Sequence, residues 1–447
     1  MCLLFVLTVT LLAQLLVLRQ LRFDWSIVAV VLLATVLEVD YLNYTSVSER
    51  NYDGSSHVAY VQLMTQHFRV PSRYDCGVCG HPPLYYGLAA LWSKAVLFAG
   101  WIPLELGLAW LSLLLFFGFV VVSLLIFRSC ELGPGASWLA TTMVLFWPSS
   151  IINSIRVHND ALASLLMLAA MYFIARWDQT GRKRDFYAAL TASALALLTK
   201  SSGYTVATTL VIFAGIRLFS TKSSSPALRR QAIRQCAEAL LLLVGVGILA
   251  VGFRSSERAT DLCRKVLGSA CDGRHAPVAD TLRKFVYFDI ADFIRRMDSL
   301  PQDQNRDYFL NRFAKSSLFG VAPLGDEFET TRHQAIASAL SIWLLLVAGL
   351  SACTFALRVH ARTVHWKKYR TYFVTSLVMF LFLVAFRIKL PNEFHEDFRH
   401  IYPVLVPLCM GYALSVEYLG RGSRVRYWCG FGIGVSVVAL SVAFFAR

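Results

Sequence analysis

The chain has 447 residues, of which 56% are hydrophobic, 13% aromatic and only 16% charged, with a mean hydropathy of +0.54. Such a composition excludes an ordinary soluble globule and calls for an all-α polytopic membrane protein. The net charge of +15 has a plain source in basic loops beside anionic lipid, and neither Gly-rich nucleotide-binding loop is present, so no nucleic-acid or nucleotide partner is called for.

A helix needs roughly 20 apolar residues to cross the hydrocarbon, and about twelve stretches qualify. They lie at about 2–20, 25–42, 101–127, 136–152, 160–176, 186–200, 203–219, 236–253, 335–357, 370–387, 400–418 and 428–446. The first has no basic residues ahead of it, and Arg19 and Arg22 follow it, which reads as a retained helix instead of a signal peptide. Lys and Arg concentrate at 19–22, 176–184, 222–234, 358–370 and 421–426, on alternate turns of the chain. The positive-inside rule makes those turns cytoplasmic. Residues 43–100, 153–159, 254–334 and 388–399 then fall outside, with both termini.

The organisation expected is two transmembrane helices over 1–42, an outer loop with interfacial amphipathic helices over 43–100, and a transmembrane core over 101–253. An outer loop or small helical cap over 254–334 and C-terminal transmembrane helices over 335–447 complete it. Among ten cysteines, Cys76, Cys79, Cys263 and Cys271 fall on the outer side. An oxidising face allows the disulfides Cys76–Cys79 and Cys263–Cys271. Free thiols, or a zinc site from Cys76, Cys79 and His81 that lacks a fourth ligand, are the alternatives.

Ionisable groups gather at the outer boundary: Asp40 and Asp53, then His81, then Arg156-Val157-His158-Asn159-Asp160, then Lys200. Glu393, His395, Glu396, Asp397, Arg399 and His400 follow before the eleventh span. Each admits a bland reading. Glu38 and Asp40 read best as solvated helix ends, Asp160 with Asn159 as a helix cap, Lys200 as snorkelling, and Arg399 as a nonspecific lipid-phosphate contact. Convergence on one face is what points to function, since charge at membrane depth is costly to keep.

The ordered pieces Asp53-Gly54-Ser55-Ser56-His57-Val58-Ala59-Tyr60, His81-Pro82-Pro83-Leu84-Tyr85-Tyr86, Asn159-Asp160-Ala161-Leu162 and Leu198-Thr199-Lys200-Ser201-Ser202-Gly203 carry a resemblance. With Phe398-Arg399-His400-Ile401-Tyr402-Pro403-Val404-Leu405-Val406-Pro407, the set resembles the GT-C superfamily of membrane glycosyltransferases over roughly residues 25–215 and 388–410. Within it, the nearest in pattern are the lipid A aminoarabinose transferases and the protein O-mannosyltransferases.

That resemblance implies a GT-C-like bundle whose donor is a sugar on undecaprenyl or dolichyl phosphate and whose acceptor is a glycan, lipid or protein. It places Asp53 as base, Asp160 as a second carboxylate, and Lys200, Arg399 and His81 on the donor phosphate. His57, His400, Tyr85 and Tyr86 are expected at the acceptor or lipid, with Trp92, Phe146 and Trp147 along the greasy path. The pattern is departed from at His81, where the aminoarabinose enzymes carry Lys, and at Cys76, Cys79 and 254–334, which match no member.

Chemistry agrees with this reading. Sugar transfer from a lipid phosphate needs a proton acceptor and cations for the departing phosphate, and single displacement inverts the anomeric centre without a covalent intermediate. A divalent ion (Mg, Mn or Zn) shared by Asp53 and Asp160 stays open. So do a transporter or flippase of a lipid-linked or small anionic substrate, though no repeated halves are visible, and a non-catalytic scaffold. A bacterial inner membrane with a periplasmic site and an endoplasmic reticulum with a lumenal one both fit, and the sequon Asn43-Tyr44-Thr45 does not separate them.

Overall fold

The computed structural model describes residues 2–50, 53–72, 74–98, 102–220, 226–254, 282–297, 308–320, 328, 330–360, 366–389 and 397–446. Among them all regular structure is helical. Eight helices are long and apolar enough to cross a membrane: Trp25–Tyr44, Leu104–Ser129, Asp160–Thr180, Ser201–Ser220, Thr331–Thr354, Lys367–Lys389, Phe398–Gly420 and Arg424–Phe445. The chain is an integral multi-pass membrane protein.

The other four stretches read as spans are helical too, but each departs from a plain apolar span. Cys2–Gln20 is a 19-residue helix. The stretch 136–152 breaks at Trp147, whose extended backbone (φ −62°, ψ 133°) separates Pro134–Phe146 from Pro148–Ser154. The residue before a proline avoids helical geometry, while the proline itself opens the next helix well. Lys183–Thr199 has 17 residues and stops at Lys200. Residues 236–253 form the apolar end of the 29-residue helix Pro226–Arg254, whose first turns carry Arg229, Arg230 and Arg234.

Leu104–Ser129 packs against Asp160–Thr180, which packs in turn against Lys183–Thr199. Leu405–Gly420 lies between Pro134–Phe146 and Thr331–His360. Lipid is as apolar as leucine, so close packing of small residues holds such helices together. Ala163 and Ala170 are buried in this core, and a side chain at Gly118 would sit 3.1 Å from Leu165 Cδ2.

One end of the bundle is tied by basic side chains. Arg370 grips Asp178 through two bonds, at 2.7 and 2.5 Å. Lys368 Nζ lies 2.6 Å from Glu131, and Arg128 donates to the Leu21 carbonyl at 2.9 Å. This is the end the charge distribution assigns to the cytoplasm.

At the opposite end the chain leaves Trp25–Tyr44 through a turn closed by buried Arg50, which donates to the carbonyls of Leu42 and Thr45 at 3.2 and 2.7 Å. Gly54–His67 then packs on Leu84–Phe98 around Val58, Tyr60, Val61, Tyr85 and Tyr86, with Leu108 and Leu111 contributed by Leu104–Ser129. Between them Cys76 and Cys79 form a disulfide.

Glu38 corrects an expectation. Far from a solvated helix end, it is 2% exposed, because Trp25–Tyr44 packs against Pro148–Ser154. Asp40 is half-buried. Of the outer segment 254–334, Leu282–Val286, Ile290–Arg295 and Phe309–Phe319 are described helices. Cys263 and Cys271, together with Glu393, His395 and Glu396, lie outside the described residues.

The Arg370–Asp178 fork joins two spans at a partly buried position. Arg370→Ala should lower stability by about 1 to 2 kcal/mol, a charge-assisted pair discounted for its exposure. Thermal unfolding in detergent checks this; an unchanged midpoint refutes it.

Candidate active site

Four further segments deliver charge to the end opposite the Arg370 fork. Asp53 stands at the N-cap of Gly54–His67 with bridge-region backbone (φ −104°, ψ 10°) and makes no capping bond. Its Oδ2 lies 3.6 Å from His57 Nε2, one turn along the same helix, and 3.7 Å from Arg399 Nη2.

Asp160 opens the helix Asp160–Thr180, where the positive end of the helix dipole favours a carboxylate. The capping role expected of Asn159 is not played. Its amide nitrogen donates instead to the Thr199 carbonyl at 3.2 Å and lies 3.4 Å from His81 Nδ1, because Lys183–Thr199 ends beside it. Asp160 Oδ1 pairs with Lys200 Nζ, and Oδ2 lies 3.9 Å from both His158 Nδ1 and Arg399 Nε.

Lys200 does not snorkel. It leaves its helix in extended conformation (φ −159°, ψ 147°), its N–H donating to Ala196 O at 2.8 Å. The following turn is closed by Gly203 N–H to Lys200 O at 3.0 Å. A side chain at Gly203 would stand 2.6 Å from the backbone nitrogen of Leu197, so only glycine fits.

Arg399 is carried by the 3-10 turn Phe398–Val404, capped by Asp397. Asp397 Oδ1 accepts the Arg399 N–H at 3.0 Å, and Oδ2 lies 3.0 Å from its Nε. One guanidinium thus faces three carboxylates, Asp53, Asp160 and Asp397. With Arg156, fully buried within the field of the same three, and Lys200, three cations balance three anions.

Electrostatics follows from burial and pairing. Burial pushes the Asp53 carboxyl up, but the Arg399 guanidinium overcomes this and holds it well below the usual carboxylate range. His81 is pushed down to about 3, first by burial, then by His57 and the Lys200 ammonium. It therefore brings no positive charge to a donor phosphate, which corrects the cationic role considered for it. Burial also lowers His158 well below the ordinary range.

Beside these groups lies a partly open cleft with about 310 Å³ of empty space, open solvent included. Its lining is apolar at Phe116, Phe119, Ala161 and Tyr402 and polar at Asn153, His158, Asp160, Ser164 and Arg399. Asp53 does not line it. The Asp53 side chain is 18% exposed against 6% for Asp160, so one carboxylate meets the outside and the other the cavity.

The remaining expected residues are placed differently from the greasy path foreseen for them. Tyr85 and Tyr86 are fully buried, as is Trp147, and Phe146 is 3% exposed. Trp147 Nε1 donates to the Ser317 carbonyl at 2.7 Å, and Trp92 Nε1 donates to Gly107 O at 2.7 Å. Tyr86 stacks on Tyr60 at 3.7 Å between ring centres. Its hydroxyl lies 2.8 Å from His57 Nδ1 and 3.3 Å from His81 Nδ1. His400 is half-buried, with its ring 5.8 Å from Phe386.

Arg156, His158 and Asp397 were visible only as members of an outer charge cluster. Their signal was local polar density at the mouth of a span. Among the described residues no three His, Cys, Asp or Glu side chains converge to hold a metal ion. The two carboxylates considered for one meet on Arg399 instead, so the donor set fits a cation already supplied by the chain.

No family model matches the chain, and no curated protein matches it. Among solved structures, the Archaeoglobus fulgidus oligosaccharyltransferase in the apo form matches with a TM-score of 0.52 at 13% identity, over 96% of this chain and 56% of that one. The same protein tethered with an acceptor peptide containing the NVT sequon matches with a TM-score of 0.49 at 13% identity, covering 95% and 56%. ArnT from Cupriavidus metallidurans, bound to undecaprenyl phosphate, matches with a TM-score of 0.38 at 15% identity, covering 93% and 77%. At such identities the likeness is one of fold alone, that of the oligosaccharyltransferase. The chain spans little more than half the length of the oligosaccharyltransferase, 56% of it.

Two outcomes are expected. Gly203→Ala must shift the turn that carries Lys200, lowering stability by about 1 to 3 kcal/mol, the usual cost of overpacking; an unchanged melting midpoint refutes this. For pH, the unfolded chain binds a proton at His81 near 6.5 while the folded chain does so only near 3. Protonation there favours unfolding, so stability should fall as pH drops below about 6.5 and His81→Gln should flatten that fall. Melting curves across pH decide it, and an unaltered slope in the variant counts against the assignment.

Proposed function

We propose that the chain is a glycosyltransferase that moves a sugar from a polyprenyl phosphate, undecaprenyl or dolichyl, to a glycan, lipid or protein acceptor on the outer face. The observation that carries this reading is Arg399 set between the more exposed Asp53 and the cavity-lining Asp160, with Lys200 on the far side of Asp160.

In this reading the donor phosphate enters the cavity side and takes Lys200 and Arg399, while Phe116, Phe119 and Tyr402 offer apolar wall to the sugar and lipid. The acceptor approaches from outside to Asp53. Its oxygen attacks the anomeric carbon as the bond to the phosphate oxygen breaks, the electron pair leaves on the phosphate, and the acceptor's proton passes to Asp53. The anomeric centre inverts. No covalent intermediate is required.

A strongly held carboxylate is a weak base, and the shared guanidinium resolves this. When an incoming phosphate draws on Arg399, Asp53 loses its largest stabilising charge and becomes more basic. Donor binding thereby prepares the base, so donor should bind before acceptor.

Two measurements test the reading. Mass spectrometry of lipid that copurifies with the protein should find a polyprenyl phosphate, and bulk phospholipid alone would count against the donor class. In assays with short-chain polyprenyl-phosphate hexoses and pentoses, Asp53→Asn should reduce transfer by about 100-fold or more while donor binding persists. Transfer at the wild-type rate in that variant removes Asp53 as base, and Lys200→Ala should instead weaken donor binding.

A further inference from the structure

The segment between Pro148–Ser154 and Asp160–Thr180 is held on both sides of His158. Ahead of it the Arg156 carbonyl accepts from Ser112 Oγ at 2.7 Å, and Val157 is packed into the cluster that includes Tyr60 and Tyr85. Behind it the Asn159 amide donates to the Thr199 carbonyl at 3.2 Å. The imidazole adds nothing to this clamp. It is 1% exposed, and neither ring nitrogen has a hydrogen-bond partner among the described residues. Nδ1 stands 3.9 Å from Asp160 Oδ2, beyond bonding reach. His57 and His81, by contrast, each meet the Tyr86 hydroxyl, at 2.8 and 3.3 Å.

Buried polar groups are nearly always bonded, and an exception calls for a reason. His158 lines the cleft, so a bound molecule can supply what the chain does not. Burial keeps the ring neutral, and a neutral imidazole offers one donor and one acceptor in either tautomer. A hydroxyl is the complement, since it too both donates and accepts. Ser164 adds a second such group, one helical turn beyond Asp160 on the same face and likewise at the cleft. Phe116, Phe119 and Tyr402 give the rest of the lining its apolar character. A sugar ring has the same division, with hydroxyls around its edge and C–H groups on its faces.

Charge narrows the sugar further. A sugar carboxylate would stand near Asp160, and the cations there, Lys200 and Arg399, are already shared between Asp160 and the donor phosphate of the proposed reaction.

We propose that His158, with Ser164, reads a hydroxyl of the transferred sugar and makes the site selective for neutral sugars over uronic acids. This rests on the reading of the chain as a polyprenyl-phosphate sugar transferase. His158 is then a specificity-determining residue that touches the donor sugar and leaves its phosphate to Lys200 and Arg399.

Binding to protein in lipid nanodiscs, followed by calorimetry, tests this with a short-chain polyprenyl phosphate as probe. It is used without sugar, with a neutral hexose or pentose, with that sugar lacking one hydroxyl at a time, and with a uronic acid. His158→Leu should bind the sugar-free lipid within about twofold of wild type yet lose about 10-fold on the neutral-sugar lipid. Removing one particular hydroxyl should weaken the wild type by about the same factor and cost His158→Leu nothing more. The uronic acid lipid should bind the wild type about 10-fold more weakly than the neutral one.

Equal losses on the sugar-free and neutral-sugar lipids in His158→Leu overturn the proposal, as does a uronic acid lipid bound as tightly as the neutral one. A wild type indifferent to every single hydroxyl overturns it whether or not His158→Leu folds. A wild type that binds none of these lipids sinks the donor reading itself.

Discussion

A guanidinium taken out of water must be paired, and Arg399 is paired three times over. Its partners Asp53, Asp160 and Asp397 come from an outer helix, the start of a span and its own turn. Burying an ion costs several kcal/mol unless opposite charge meets it with good geometry. The outer segment, the central helices and the C-terminal spans are therefore drawn to one point that none could stabilise alone. Lys200 completes the arrangement by satisfying Asp160 from a fourth direction.

This pairing also shapes what can bind. A site whose cations are already neutralised gives little to a stray anion, since any newcomer must compete with resident carboxylates. A phosphate succeeds only if it offers more than charge, and the aromatic wall at Phe116, Phe119 and Tyr402 supplies surface for such an additional group. For the donor proposed above, selectivity for a phosphate bearing an apolar or sugar substituent would follow from that competition.

The membrane architecture was legible in the sequence because hydrocarbon imposes a length and a composition that few other settings demand. Where the reading and the fold diverge, a tertiary contact decided the matter. Glu38 looked like a wet helix end because nothing in its neighbours announces that Ser154 waits opposite. Asn159 looked like a cap because its preference for that position is local, whereas the Thr199 carbonyl it prefers lies 40 residues on. Asp53, Asp160, Lys200 and Arg399 could be singled out as ionisable residues at the ends of apolar runs. Tyr86 was expected only at the acceptor or lipid, and only three-dimensional neighbours reveal that its hydroxyl lies between two histidines 24 residues apart in numbering, at 57 and 81.

The Cys76–Cys79 bond closes a small ring whose neighbours pack tightly. Cys79 is 4% exposed, a side chain at Gly77 would stand 3.1 Å from Ser56 Oγ, and His81 N–H donates to Val78 O at 3.0 Å. The loop thus rests on the helix Gly54–His67, which Asp53 precedes, and the ring closes two residues short of His81. Such bonds persist in oxidising compartments and not in the cytosol. Crossing the membrane is then a step in maturation as well as in topology: the chain acquires the finished contour of this loop only after its outer segments have left the compartment where they were made.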